Sequence, residues 1–214
     1  MAADAPALVL LALAWAAYGA LHSLLAAEGV QRRLVARWPG LAPAYRLAYN
    51  AVATLALVPL VGLMARHPGP WLWRWTGPAG WLADGLALGA LALLVAGPGT
   101  YDLEEFLGLR AWREGRGSAA DRGPFRISPL HRFVRHPWYA LGLVLLWTRD
   151  MDAARLVSAL AATAYLGVGT WLEERKLLRR FGAPYAAYRA RVPALLPRPG
   201  RVLGRAEARR LENA

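Results

Sequence analysis

The residues best suited to chemistry lie in the second half of the chain, in three short groups. The first is Arg135-His136-Pro137-Trp138-Tyr139, which sets a permanent cation, an imidazole and a phenol around a proline. Proline suits the first turn of a helix, where its missing N–H costs nothing. A helix starting at Pro137 would offer free N–H groups and a positive dipole end beside Arg135 and His136, a setting for a carboxylate or another anion. An Arg-His pair can equally anchor a helix at lipid headgroups. The second group is Glu173-Glu174, followed by Arg175-Lys176. On a surface these charges would form a salt-bridge cluster of small energetic weight. Held at a membrane boundary, a half-buried carboxylate needs a partner such as a cationic ligand, an amino group or a ribose hydroxyl pair. The third group is Phe181-Gly182-Ala183-Pro184-Tyr185, then Tyr188, Arg189 and Arg191. Gly182 and Pro184 stop one helix and begin another. Tyr185 and Tyr188 fall on one face of the second helix. Aromatics next to arginine can pack against an adenine, or can anchor the chain at an interface.

His22 stands apart, followed by Ser23 within an uncharged apolar stretch. A histidine inside a membrane span is a functional candidate, its plain alternative being a hydrogen bond to a neighbouring helix. The four histidines, His22, His67, His131 and His136, show no metal-ligand spacing with carboxylates, so no metal is expected. The chain has no cysteine, which excludes disulfides, thiolate metal sites and a cysteine nucleophile. A glycine-rich nucleotide loop, His-Glu-x-x-His and Gly-x-Ser-x-Gly are also missing.

The elements that must position these groups follow from composition. The 214 residues are 57% hydrophobic, with 26 Lys+Arg against 14 Asp+Glu. A net charge of +12 would by itself suggest a nucleic-acid partner. Combined with long uncharged stretches, it points instead to a membrane protein in contact with lipid, with no nucleic acid. Five segments can cross or enter a bilayer: residues 5–27, 47–65 with Pro59 as a kink, 79–97 with Asp84 near its start, 137–148, and 153–172. The fourth covers only ~18 Å of a ~30 Å core. The first lacks the basic leader of a cleaved signal peptide. The fold class is therefore all-α: an integral-membrane bundle of about five transmembrane helices, a C-terminal helical hairpin and a cytoplasmic C-terminal segment. Of the Lys and Arg residues, 22 fall on one side of these segments and 4 on the other. The positive-inside rule then puts the N-terminus outside and the tail in the cytoplasm. Trp71, Trp73, Trp75 and Trp81 form an aromatic belt at the outer interface. Residues 1–98 make three N-terminal helices, and 99–136 a cytoplasmic connection with its flexible point at 115–123. Residues 137–198 form the cofactor-binding hairpin and C-terminal segment. Residues 199–214 read as a solvated basic tail with affinity for anionic headgroups.

In order, Arg135-His136-Pro137-x-Tyr139, an apolar hairpin, Glu173-Glu174-x-x-Leu177, Phe181-Gly182-x-x-Tyr185-x-x-Tyr188, and Arg191-Val192-Pro193 with Leu196-Pro197 resemble the integral-membrane methyltransferases related to isoprenylcysteine carboxyl methyltransferase. Within that family the pattern is most similar to the bacterial methanethiol S-methyltransferase type. Asp102, Gly108-Leu109-Arg110, Pro124-Phe125, Pro129-Leu130, Arg132, Val134, Trp147, Met151 and His22-Ser23 carry that likeness. It covers residues 100–198 well and the first half loosely. Leu141 stands where the family usually has glycine, and His131 where an aromatic is expected. The length suggests one N-terminal helix fewer than the thiol methyltransferases carry.

The resemblance implies S-adenosylmethionine bound at the cytoplasmic ends of the last two membrane helices, in a bacterial inner membrane. Its cofactor-binding set is Arg135, His136, Pro137, Tyr139, Glu173, Glu174, Tyr185 and Tyr188. Arg135, His136 and the helix N-terminus at Pro137 would meet the methionine carboxylate. Glu173 or Glu174 would take ribose hydroxyls or the α-amino group, and Tyr185 and Tyr188 would flank the adenine. Arg191 would sit by the sulfonium or orient the acceptor, a small thiol or a lipophilic molecule. A thiol reacts as its thiolate, and His22, His131 and Arg191 are the groups that could assist. Methyl transfer is an in-line displacement that chiefly requires alignment and exclusion of water. The same scaffold could serve an NADPH-dependent reductase, although a pair of glutamates favours a cationic cofactor. A non-catalytic membrane protein would spread its polar residues through the bilayer. Here they gather on one side, apart from His22 and Asp84. The sequence leaves the oligomeric state open.

Overall fold

The structure, a computed structural model, describes residues 5–96, 103–115 and 123–213. Asp102 and most of the 115–123 stretch lie outside the described residues. The protein is helical: α1 (Ala5–Ala26), α2 (Glu28–Arg37), α3 (Tyr45–Arg66), α4 (Gly77–Ala96), α5 (Leu103–Leu107), α6 (Leu109–Arg113), α7 (Pro137–Trp147), α8 (Ala153–Arg191) and α9 (Arg205–Glu212), with two short strands, β1 (Trp71–Trp73) and β2 (Met151–Asp152). Among the described residues, four helices, α1, α3, α4 and α8, are long and apolar enough to cross a membrane. Large apolar side chains such as Leu13, Leu55, Val58, Trp81 and Val95 are exposed along them. An aqueous protein would not tolerate so much open apolar surface, whereas lipid favours it. The remaining expected segment is α7, which has 11 residues and covers only about 16 Å. It starts at Pro137 as the sequence implies, because His136 already has non-helical backbone angles.

The chain divides into two compact units. The first comprises residues 1–72, 101–123 and 151–161. Here α1 packs on α3, and polar groups tie the pair: the Tyr45 hydroxyl donates to the Leu25 carbonyl at 2.7 Å. The Asn50 amide donates to the Phe106 carbonyl at 3.0 Å, holding α3 to α5. Gly108 follows α5 with φ 85°. A Cβ there would lie 2.8 Å from the Arg46 Cβ and from the Leu47 nitrogen, so only glycine fits both the angle and the space. At the start of α8 the buried Asp152 accepts a hydrogen bond from the Arg155 N–H at 2.8 Å, the arrangement of a helix N-cap.

The second unit comprises residues 73–100, 124–150 and 162–214. In it α4 packs on α7 through Gly80, Ala83, Ala87 and Ala90, its buried residues. Their spacing of three and four makes a stripe of small side chains, which lets helices approach closely where lipid supplies no hydrophobic drive between them. Asp84, the one acid of that span, pairs with Arg149 at 3.0 Å, and the Asp150 carboxylate accepts from the Trp75 N–H at 2.9 Å. The turn between α7 and α8 is thereby pinned to the start of α4. Helix α8 is 39 residues long and breaks at Gly182, where φ is 58° and ψ −130°. That backbone region is essentially closed to residues with a Cβ. Gly182→Ala is therefore expected to destabilise the fold by about 1–3 kcal/mol, read as a lower midpoint of thermal unfolding in detergent. Beyond the break, Tyr185, Tyr188 and Val192 form a core with Ile127, Leu203 and Ala208, flanked by Phe125, Phe181 and Leu211. Leu203 and Ala208 belong to the stretch expected to be a solvated tail. It is instead folded back and in part buried, because α9 has an apolar face of its own and finds this core.

Candidate functional site

All of the site groups that the sequence places around a cofactor lie in the second unit. Arg135 and His136 form the non-helical step into α7, and the chain after α8 fixes them. The Arg135 and His136 N–H groups donate to the carbonyls of Pro193 and Ala194 at 2.9 and 3.0 Å. Arg132 Nε donates to the Leu203 carbonyl at 2.7 Å, and the Leu203 N–H donates back to the Arg132 carbonyl at 3.0 Å. Residues 192–203 thus run as a strap along residues 132–136.

Glu174 lies where the apolar part of α8 ends, and it is 6% exposed. One of its oxygens accepts from Arg135 Nε at 2.7 Å, and the other pairs with Arg189 Nε at 3.1 Å. Arg135 also donates to the carbonyls of Arg189 and Val192. So Glu174 is a buried carboxylate shared by two guanidinium groups, one of which is locked to the strap. Glu173 is set differently, with its side chain 43% exposed. His136 Nδ1 lies 3.4 Å from its Oε2, and the Tyr139 hydroxyl donates to the same oxygen at 3.3 Å. The His136 and Tyr139 rings stack at 5.5 Å with 6° between their planes. His136 is 7% exposed, and its Nε2, 3.4 Å from Glu174, makes no aligned hydrogen bond.

Tyr185 and Tyr188 are 2% and 3% exposed. Phe125 packs edge-on against both rings, and the two rings meet each other at 5.7 Å. Their faces are core rather than an open platform for an adenine. Burial pushes both phenols well above their usual pKa, with Glu174 adding to the effect on Tyr185 and Tyr185 to that on Tyr188, so both are hydrogen-bond donors. Tyr188 donates to the His131 carbonyl at 2.7 Å. The Tyr185 hydroxyl is buried without a partner. A buried polar atom left unpaired is costly, which marks this hydroxyl and His136 Nε2 as groups suited to meet a ligand.

The groups named for the acceptor are not gathered around this cluster. The Arg191 side chain is 65% exposed and pairs with Glu207 of α9 at 3.1 Å, while Arg189 occupies the position beside Glu174. His22 belongs to the first unit, where its Nε2 shares a hydrogen bond of 2.7 Å with the Tyr49 hydroxyl. His131 shares one of 2.7 Å with Ser128 through Nδ1. Burial, reinforced by His136 and opposed by Glu173, pushes the His131 imidazole down to about 4. The unfolded chain then takes up a proton near pH 6.5 that the folded one refuses until about pH 4. Between those limits stability falls as pH falls, by about 1.4 kcal/mol per unit. The thermal midpoint should drop from pH 6.5 to 5, and His131→Gln should flatten that slope; an unchanged slope would contradict a buried neutral His131. Among the described residues, no cluster of three His, Asp or Glu side chains could hold a metal ion.

Sequence reasoning missed Arg189 as a member of the cluster and Leu203 as its support. No protein-family model and no solved structure matches the chain. It is 36% identical over 183 residues to methanethiol S-methyltransferase 2 of Bradyrhizobium diazoefficiens, covering 83% of this chain and 68% of that protein. It is 34% identical over 189 residues to the methanethiol S-methyltransferase of Mycobacterium tuberculosis, covering 84% of this chain and 74% of that protein. A shorter stretch of 76 residues is 43% identical to the methanethiol S-methyltransferase of Pseudomonas deceptionensis. With most of both chains aligned in the first two cases, this chain belongs to the methanethiol S-methyltransferase family.

Proposed function

We propose that this integral-membrane methyltransferase moves a methyl group from S-adenosylmethionine to a small thiol such as methanethiol. The carrying observation is the pair of unlike carboxylates. Glu174 is consumed by Arg135 and Arg189, whereas Glu173 stays half-open beside His136 and Tyr139. A cationic, amino-bearing donor needs a carboxylate with spare accepting capacity, and Glu173 has it. His136 Nε2 and the Tyr185 hydroxyl, neither of which makes a hydrogen bond, add polar atoms suited to the same ligand. Arg135 and the N-terminus of α7 at Pro137 favour the donor's carboxylate. When bound, S-adenosylmethionine supplies an activated methyl on sulfur.

The chain's own work is to hold that donor, keep water out and ready the acceptor. Glu174 positions Arg135, and through it the strap of residues 192–203. The thiol must lose its proton to become the nucleophile. His131 is too weak a base near neutral pH, and Arg191 is a cation held by Glu207. His22, the third group named for that step, lies in the first unit, hydrogen-bonded to Tyr49. The charge asymmetry supports an outside N-terminus and a cytoplasmic site, with the apolar helices in lipid.

Calorimetry of the purified protein with S-adenosylmethionine and with its demethylated product tests the donor; no binding by a folded sample would refute it. Methyl transfer to methanethiol, read as dimethyl sulfide, tests the acceptor.

A further inference from the structure

A second group of arginines lies around a cleft of about 320 Å3 in the second unit, sharing no lining residue with the Glu173–Glu174 cluster. Ile127, Pro129 and Ala208 form its apolar wall, and Arg132, Arg205 and Arg209 supply its charge. Arg205 and Arg209 are one turn apart on α9 and both exposed, so their like charges repel. Glu212 also lines the cleft, but its carboxylate is engaged elsewhere. It accepts from the Ile127 N–H at 2.6 Å and lies 3.9 Å from Arg126. The cleft is therefore cationic, and guanidinium groups match the forked oxygens of a phosphate better than other anions.

The surroundings decide which phosphate. Phe133 and Val202, the chain neighbours of the hydrogen-bonded Arg132 and Leu203, are both exposed, as is Leu196 on the same strap. The Arg132 guanidinium lies 6.0 Å over the Phe133 ring. Four residues after Phe133 the chain enters α7, among the apolar helices of the unit. Exposed apolar side chains flanked by arginines are the pattern of a segment lying in the membrane interface, with cations at the level of the lipid phosphates. We propose that this cleft binds the phosphodiester headgroup of an anionic phospholipid. The proposal rests on the membrane setting alone and is independent of the donor and the acceptor.

The test is lipid retention by the purified full-length protein in detergent, titrated with phosphatidylglycerol or phosphatidylcholine and read by native mass spectrometry. The wild type should retain phosphatidylglycerol in preference. The double variant R205Q/R209Q should weaken that retention by roughly thirtyfold, from about 1 kcal/mol per arginine near an anionic surface. R198Q/R201Q, which removes the same charge from exposed positions outside the cleft, should change it less than threefold. Arg209→Gln alone should give about fivefold, which covers the case of a double variant that fails to fold. Millimolar inorganic phosphate should not displace the lipid. Three results would overturn the proposal: equal loss in both double variants, no preference over phosphatidylcholine, or displacement by inorganic phosphate, which would mark a site for soluble anions.

Discussion

Glu173→Gln should weaken binding of the methyl donor by about tenfold to a hundredfold and leave the thermal midpoint almost unchanged. Glu174→Gln should lower both. The two residues are adjacent and chemically identical, so the contrast arises from their surroundings. Glu173 is half-exposed and touches only His136 and Tyr139 among the partners seen. Losing its charge removes a charge-assisted hydrogen bond to the ligand, worth about 1.5–3 kcal/mol. Glu174 compensates Arg135, which is only 10% exposed. Taking one partner from a buried pair leaves the other charge uncompensated, at a cost of about 3–5 kcal/mol. For a chain of this size that corresponds to a drop of roughly 10 °C. Donor titration and thermal unfolding on the same two preparations check it. If Glu174→Gln unfolds at the wild-type temperature, the buried network is not what holds Arg135, and the division of labour between the two acids falls.

Much of the framework is legible from local pattern. Apolar runs of twenty residues, a proline at the start of α7 and a glycine before a proline each act within a few residues of themselves. The helix starts and the break at Gly182 therefore follow directly. The parts that escape are those in which distant residues decide. Arg189 and Arg191 are two positions apart, and the backbone between them and Glu174 passes through Gly182 at φ 58°. That angle resets the helical phase, so counting from Glu174 cannot tell which arginine faces it. Burial of the Tyr185 and Tyr188 faces is similarly hidden, because Phe125 lies 60 residues upstream of Tyr185. Glu173 and Glu174 are indistinguishable in sequence, and only their neighbours separate them.

The sixteen residues from 199 onward give the largest such difference, and the largest test of packing. Read alone, six charged side chains among them suggest a solvated tail. Yet Leu203 is 1% exposed, in contact with a core that includes Tyr185, Tyr188 and Val192. Leu203→Ala should therefore cost about 2–5 kcal/mol, the range for emptying a packed leucine site. The effect should reach the donor as well. Leu203 holds Arg132 through two hydrogen bonds, and the same strap receives the N–H groups of Arg135 and His136. A loosened strap leaves those two residues less well ordered, so donor affinity should fall with stability. Val202→Ala, one residue away and 42% exposed, should be nearly silent in both measurements. A solvated tail would make the two variants alike; a docked strap separates them by several kcal/mol, far outside the error of a melting curve.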